Sequence, residues 1–210
     1  HAAFHNEVHA AARLTHPGIV RLLDTGVVDA AAAQGSGGVL AEGSPFLAME
    51  LLDGGALHPR SYGSSWAESR ALLLALLAAL AHAHARGVTH RDLKPTNILF
   101  GGPDCDPPGP RLCDFGLALA RPETGSVDPT RSSASAVPAD EFGSVHYMAP
   151  EQRREAEAEQ GPWTDLYALG VIAWELVTGE RPYPGTDLFA VTWAHLRGDL
   201  PTLTPRHPVP

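Results

Sequence analysis

His90-Arg91-Asp92-Leu93-Lys94-Pro95-Thr96-Asn97, followed seventeen residues after Asn97 by Asp114-Phe115-Gly116, decides how the rest of the chain reads. Two short apolar stretches, Ile98 to Phe100 and Arg111 to Cys113, bracket the interval and read as a small hairpin. Loops beside that hairpin would then carry a carboxylate (Asp92), a compact positive charge two residues on (Lys94) and two hard oxygen donors (Asn97 and Asp114). A carboxylate within hydrogen-bond reach of a hydroxyl can accept its proton. An ammonium can offset charge that builds up in a transition state. Amide and carboxylate oxygens suit Mg²⁺, which keeps its waters and bridges phosphates. Any one of these short motifs would carry little weight. The ordered set is specific, and Met148-Ala149-Pro150-Glu151 follows it downstream.

Composition narrows the classes. With 210 residues the chain can bury a real core in one or two small domains. A net charge of −9 argues against a nucleic-acid-binding surface, which needs clustered Lys and Arg. Lys94 is the single lysine among 15 Lys and Arg, so the chain's one ε-amine falls inside the central motif. Cys105 and Cys113 are too few for a disulfide framework or a zinc site, and a reduced, cytoplasmic setting is expected. The longest unbroken apolar run, Ala71 to Ala81, is shorter than a bilayer span and reads as a buried helix. The chain begins with His rather than Met, which reads as a piece of something longer.

Periodicity supplies a coarse layout. Phe4 to Leu14 reads as a helix that stops before Pro17. Ile19 to Val28 and Pro45 to Leu52 read as strands, and the Ala- and Gly-rich Asp29 to Ser44 as a long loop joining them. Ser65-Trp66-Ala67-Glu68 fits a capping box. The helix it opens is expected to bury Leu73, Leu76, Leu77 and Leu80 and to stop at Gly87. Pro122 to Asp140, rich in Ser, Thr and Pro, reads as a flexible segment. Asp165 to Thr178 is apolar nearly all round, as a central helix would be, and Leu188 to Arg197 is amphipathic.

With these residues in place, the chain resembles protein Ser/Thr kinase domains, most closely the bacterial kinases of eukaryotic type, from Phe4 to about Arg197. The resemblance implies an α+β fold. Residues 1–52 would be the rear of the small β lobe (one helix, two strands) with the lobe connector, and residues 53–210 a mostly helical large lobe. It implies ATP and Mg²⁺ as the reactants' partners and protein Ser/Thr hydroxyls as acceptors, with no nucleic acid and no membrane contact by this segment. Asp92 would be the catalytic aspartate, Lys94 the γ-phosphate contact, and Asn97 and Asp114 the magnesium ligands. The carbonyl of Glu50 and the amide of Leu52 would meet adenine, with Met49 at the rear pocket and Leu99 as the floor. Phe115 and His90 would stack in a column with Ala11 and Leu22, and Asp165 would anchor His90 and the backbone beside it. Ser144 takes the place of a hydroxyl able to bond Asp92 and Lys94, and Glu151 closes the segment. Phosphorylation is expected at Ser132, Ser133 or Ser135, within reach of Arg91 beside the base.

The pattern also departs from the family. Glu7 matches a helix glutamate that pairs with a strand lysine, yet Lys94 is the only lysine and no Gly-x-Gly-x-x-Gly precedes Glu7. Gly35-Ser36-Gly37-Gly38 lies after Glu7 and lacks the third glycine. The expected reading is a kinase domain cut at both ends and inactive in isolation. A degenerate domain acting as a pseudokinase scaffold or interaction module is the alternative.

Overall fold

The computed structural model describes residues 11–63, 65–102, 108–115, 143–154 and 159–210. Glu7, most of the expected first helix, and Ser132, Ser133 and Ser135 lie outside the described residues. Leu22–Val27 (β1) pairs antiparallel with Pro45–Met49 (β2), from Leu22 opposite Met49 to Val27 opposite Pro45, with an irregularity between Leu22 and Asp24. Both strands are shorter than their apolar runs; ahead of β1, Ile19 instead makes a parallel bridge to Leu112. The loop between them is not structureless: Ala30–Gly35 forms a short helix (α1), capped by Asp29, whose Oδ1 accepts from the Ala32 amide at 2.7 Å. An alanine run behind an Asp cap has the propensity for that turn of helix.

The long helix Trp66–His84 (α2) starts where the capping box placed it, with Ser65 Oγ accepting from the Glu68 amide at 3.3 Å. Its buried stripe is Leu72, Leu76, Ala79, Leu80 and Ala83. Leu76 and Leu80 are buried as expected, while Leu73 is only half-buried and Leu77 exposed, so the edge of the expected face lies one position off. The small Ala79 and Ala83, not further leucines, complete the stripe, and Ala79 lies close against Gly18 of the neighbouring chain segment. By length and apolar composition α2 could cross a membrane. Its leucine stripe is occupied differently, packing against the helix Pro162–Thr178 (α3) and the hairpin. Gly87, past its end, adopts φ +72, the left-handed conformation expected of a helix stop.

Ile98–Phe100 (β3) and Pro110–Leu112 (β4) form the expected hairpin, with Ile98 opposite Leu112. Val20 N to Leu112 O at 2.8 Å and Leu112 N to Gly18 O at 2.9 Å tie the hairpin to the chain entering β1. α3 buries Leu169, Val171, Ile172, Leu176 and Val177 and ends at Gly179, φ +82. Leu188–Arg197 (α4) is capped by Asp187, which accepts from the Phe189 and Ala190 amides at 2.9 and 3.4 Å. Few strands and a helical core packed below them make this an α+β fold of the expected kind.

Candidate active site

Between α2 and β3 the chain crosses a loop held from below by one carboxylate. Asp165, in the first turn of α3 and 1% exposed, accepts from the amides of His90 and Arg91, each at 2.8 Å. His84 Nε2 lies 2.7 Å from the same carboxylate, so the last turn of α2 is drawn into the same knot. A buried carboxylate is tolerable here because these donors satisfy it. Arg91 takes φ +65 and Asp114 φ +63, a conformation uncommon for residues with a Cβ. Arg91 immediately precedes Asp92, and Asp114 is itself an expected metal ligand; such strain tends to be stored at functional positions.

Lys94 Nζ donates to Asp92 Oδ2 at 2.8 Å and to Ser144 Oγ at 2.7 Å, joining two segments fifty residues apart. Lys94 is 9% exposed. Asn97 Nδ2 donates to the Asp92 carbonyl at 2.8 Å, and the Cys113 amide donates to the Asn97 carbonyl at 3.0 Å. The chain just before Asp114 is thereby fixed beside Asn97. With its amide nitrogen engaged as a donor, Asn97 keeps Oδ1 as an acceptor. Oδ1 and the Asp114 carboxylate form a donor set that suits Mg²⁺, which takes one or two protein oxygens and completes its shell with phosphate and water.

His90 is fully buried, its ring 4.6 Å from that of Phe115. Burial pushes its pKa down, against the opposing pull of Asp165 and Asp92, so it packs as a neutral ring. Phe115 also lines a cavity with Ala11, Leu22, Leu47, Met49, Cys113 and Asp114, so three of the four residues expected in the column border one space with Met49, while His90 meets it only through Phe115. Leu99 sits opposite Arg111 in the hairpin and bridges to Ala56, below the strand connection. Leu52 follows the exposed Leu51 there.

The Glu50 side chain, which the sequence left without a task, is firmly engaged. Its carboxylate accepts from the Arg21 amide at 2.7 Å and from Arg111 Nη1 at 2.5 Å. Glu151 Oε1 accepts from Thr164 Oγ1 at 2.7 Å, and Gln152 Nε2 donates to the Arg91 carbonyl at 2.6 Å. The sequence reading also missed Glu175, 2% exposed in α3, which takes a hydrogen bond from Tyr147 at 2.6 Å and lies within 3.7 Å of both Arg60 and Arg181. A charged residue in an otherwise apolar central helix was the available signal.

The protein kinase domain model matches residues 1–202. The chain belongs to the protein kinase domain family. It is 32% identical over 99% of its length to the probable serine/threonine-protein kinase PknB of Lactococcus lactis, covering 29% of that protein. To serine/threonine-protein kinase pkn3 of Myxococcus xanthus it is 34% identical, covering 99% of this chain and 35% of the other. To serine/threonine-protein kinase PrkC of Bacillus subtilis it is 31% identical, covering 95% and 27%. The chain thus spans about a third of the length of these curated relatives.

Proposed function

We propose that this kinase domain serves a serine/threonine protein kinase that transfers the γ-phosphate of ATP to Ser or Thr hydroxyls of proteins. The observation that carries this reading is the bridge from Lys94 to both Asp92 and Ser144. Asp92 accepts the proton of the attacking hydroxyl, and Lys94 holds the γ-phosphate while charge moves onto the leaving oxygen. Ser144 fixes the lysine from the far side. Asn97 and Asp114 would hold Mg²⁺, which would supply positive charge to neutralise the phosphate oxygens. Glu50 and Leu52 offer adenine backbone groups, above Leu99. Positioning supplies most of the acceleration in such a reaction.

The 210 residues contain no lysine besides Lys94. We therefore expect the chain alone to turn ATP over negligibly, and transfer to be a property of the full-length protein. The second reading, a scaffold without catalysis, is disfavoured by an intact Asp92, Lys94, Asn97 and Asp114, which no scaffold needs. Full-length protein incubated with Mg²⁺ and labelled ATP should phosphorylate a serine-containing protein such as casein. Asp92→Asn should abolish the transfer. A wild-type protein that binds ATP but transfers nothing would favour the scaffold.

A further inference from the structure

Beside Lys94 opens a cleft lined by His58, Arg60, Thr96, Gly143, Glu175 and Arg181 among others. Its charge runs against that of the chain, whose net charge is −9. Among the described lining residues Glu175 is the one carboxylate, and it is spent internally. Its side chain is 3% exposed, Tyr147 donates to it at 2.6 Å, and Arg60 and Arg181 approach at 3.6 and 3.7 Å. Tyr147 stays a donor because burial, then the Glu175 charge, push its pKa up. Arg181 also lies over the Tyr147 ring at 5.5 Å. The carboxylate is thus covered, while both arginines line the cleft with part of their side chains exposed, 68% for Arg60 and 29% for Arg181. The backbone that carries Arg60 is held from behind, since Arg206 donates to the Arg60 carbonyl at 2.6 Å and to that of Pro59 at 3.1 Å.

We propose that this cleft selects protein segments with an acidic side chain a few residues from the accepting hydroxyl, and that Arg60 and Arg181 set the preference. The proposal rests on the kinase reading and names its substrate class. A carboxylate entering the cleft meets two guanidiniums with one buried counter-charge between them, and a cation would have to displace both to reach Glu175. Arg60 and Arg181 steer the segment and fix its register; they take no part in the chemistry.

The test uses the full-length protein and serine peptides bearing Asp, Ala or Arg at the three positions on either side of one serine. Phosphorylation is followed with Mg²⁺-ATP, and binding separately by fluorescence anisotropy of the same peptides. The Asp peptide should bind and react about 5-fold better than the Ala peptide, as expected for partly exposed ion pairs. The difference should sit in KM rather than kcat and shrink at about 0.5 M salt. Arg60→Ala should bring the Asp-to-Ala ratio close to one, Arg60→Lys should keep most of it, and Arg60→Glu should invert it. Because Arg60 is exposed, these variants fold, and a circular dichroism melt verifies it. A wild-type preference for the Arg peptide, or an Asp preference indifferent to salt and to Arg60→Glu, overturns the proposal. Should no peptide be phosphorylated, the kinase reading falls, and the anisotropy series still decides the charge preference.

Discussion

Glu50 and Arg111 meet at 2.5 Å across sixty-one residues, joining the chain that leaves β2 to the strand that leads into Asp114. Arg111 is 7% and Glu50 20% exposed at the side chain, so the pair is shielded but not fully desolvated. Arg111→Ala should destabilise the domain by about 2 kcal/mol, below the 3–5 kcal/mol of a fully buried broken pair. A urea midpoint that drops with an unchanged slope would register it.

The same pair gives a pH dependence. Burial would raise the Glu50 carboxyl, but the Arg21 amide and the Arg111 guanidinium outweigh it and hold the pKa below its ordinary 4.5. The unfolded chain therefore binds the proton more readily. The stability from this group is intact above about pH 4.5 and is lost as pH falls through the lower folded value. Glu50→Gln should flatten that part of the stability profile below about pH 4.5, measured by denaturant titration.

Asp165 accepts two backbone amides and faces His84. Asp165→Ala leaves both amides buried without their acceptor and should cost about 3 kcal/mol. Hydrogen exchange at His90 and Arg91 should accelerate well before global unfolding, which separates a loosened loop from a melted domain.

Asp114→Asn in the full-length protein should lower kcat by at least ~10²-fold, comparable to losing one well-placed electrostatic stabiliser. Raising Mg²⁺ should recover part of the rate if Asp114 is a ligand of the metal. A variant with unchanged kcat would remove Asp114 from the site.

Cys113 is 6% exposed, and burial followed by the neighbouring Asp114 pushes its thiol up to about 12. At pH 8 its thiolate fraction is then roughly a thousandfold below that of an ordinary cysteine. Iodoacetamide should label it very slowly with or without nucleotide, read by peptide mass spectrometry. Fast labelling of native protein would contradict this packing.

Arg206 reaches back to the carbonyls of Pro59, Arg60, Tyr62 and Gly63. Arg206→Ala should leave those carbonyls to solvent at a cost of about 1 kcal/mol. Amide exchange across residues 59–63 should rise, with α2 unaffected.

What could be read in advance followed the range of the interactions. The capping box at Ser65, the stop at Gly87 and the hairpin ahead of Asp114 are local, and each appears where its residues placed it. So is the bridge of Lys94 to Asp92, while its partner Ser144 came from an ordered motif rather than from spacing. Periodicity placed Leu76 and Leu80 in the buried face of α2 but set its edge one residue off at Leu73 and Leu77, because leucines occupy both flanks and only the partner helix decides which flank is covered. The short helix after Asp29 was legible in the alanine run and was passed over for the glycines beyond it. Glu50 with Arg111, and Glu175 with Tyr147 and Arg60, pair across long stretches of chain. No window of sequence contains both ends.

One lysine in 210 residues also gives the chain an unusual chemical address. Reagents or enzymes that acylate side-chain amines find a single target here, and it is the ammonium tucked against Asp92 and Ser144. Acetyl transfer to this domain would strip its central charge in one step. Protection of that amine by a bound nucleotide can be scored on one tryptic peptide, without any competing lysine signal from the domain.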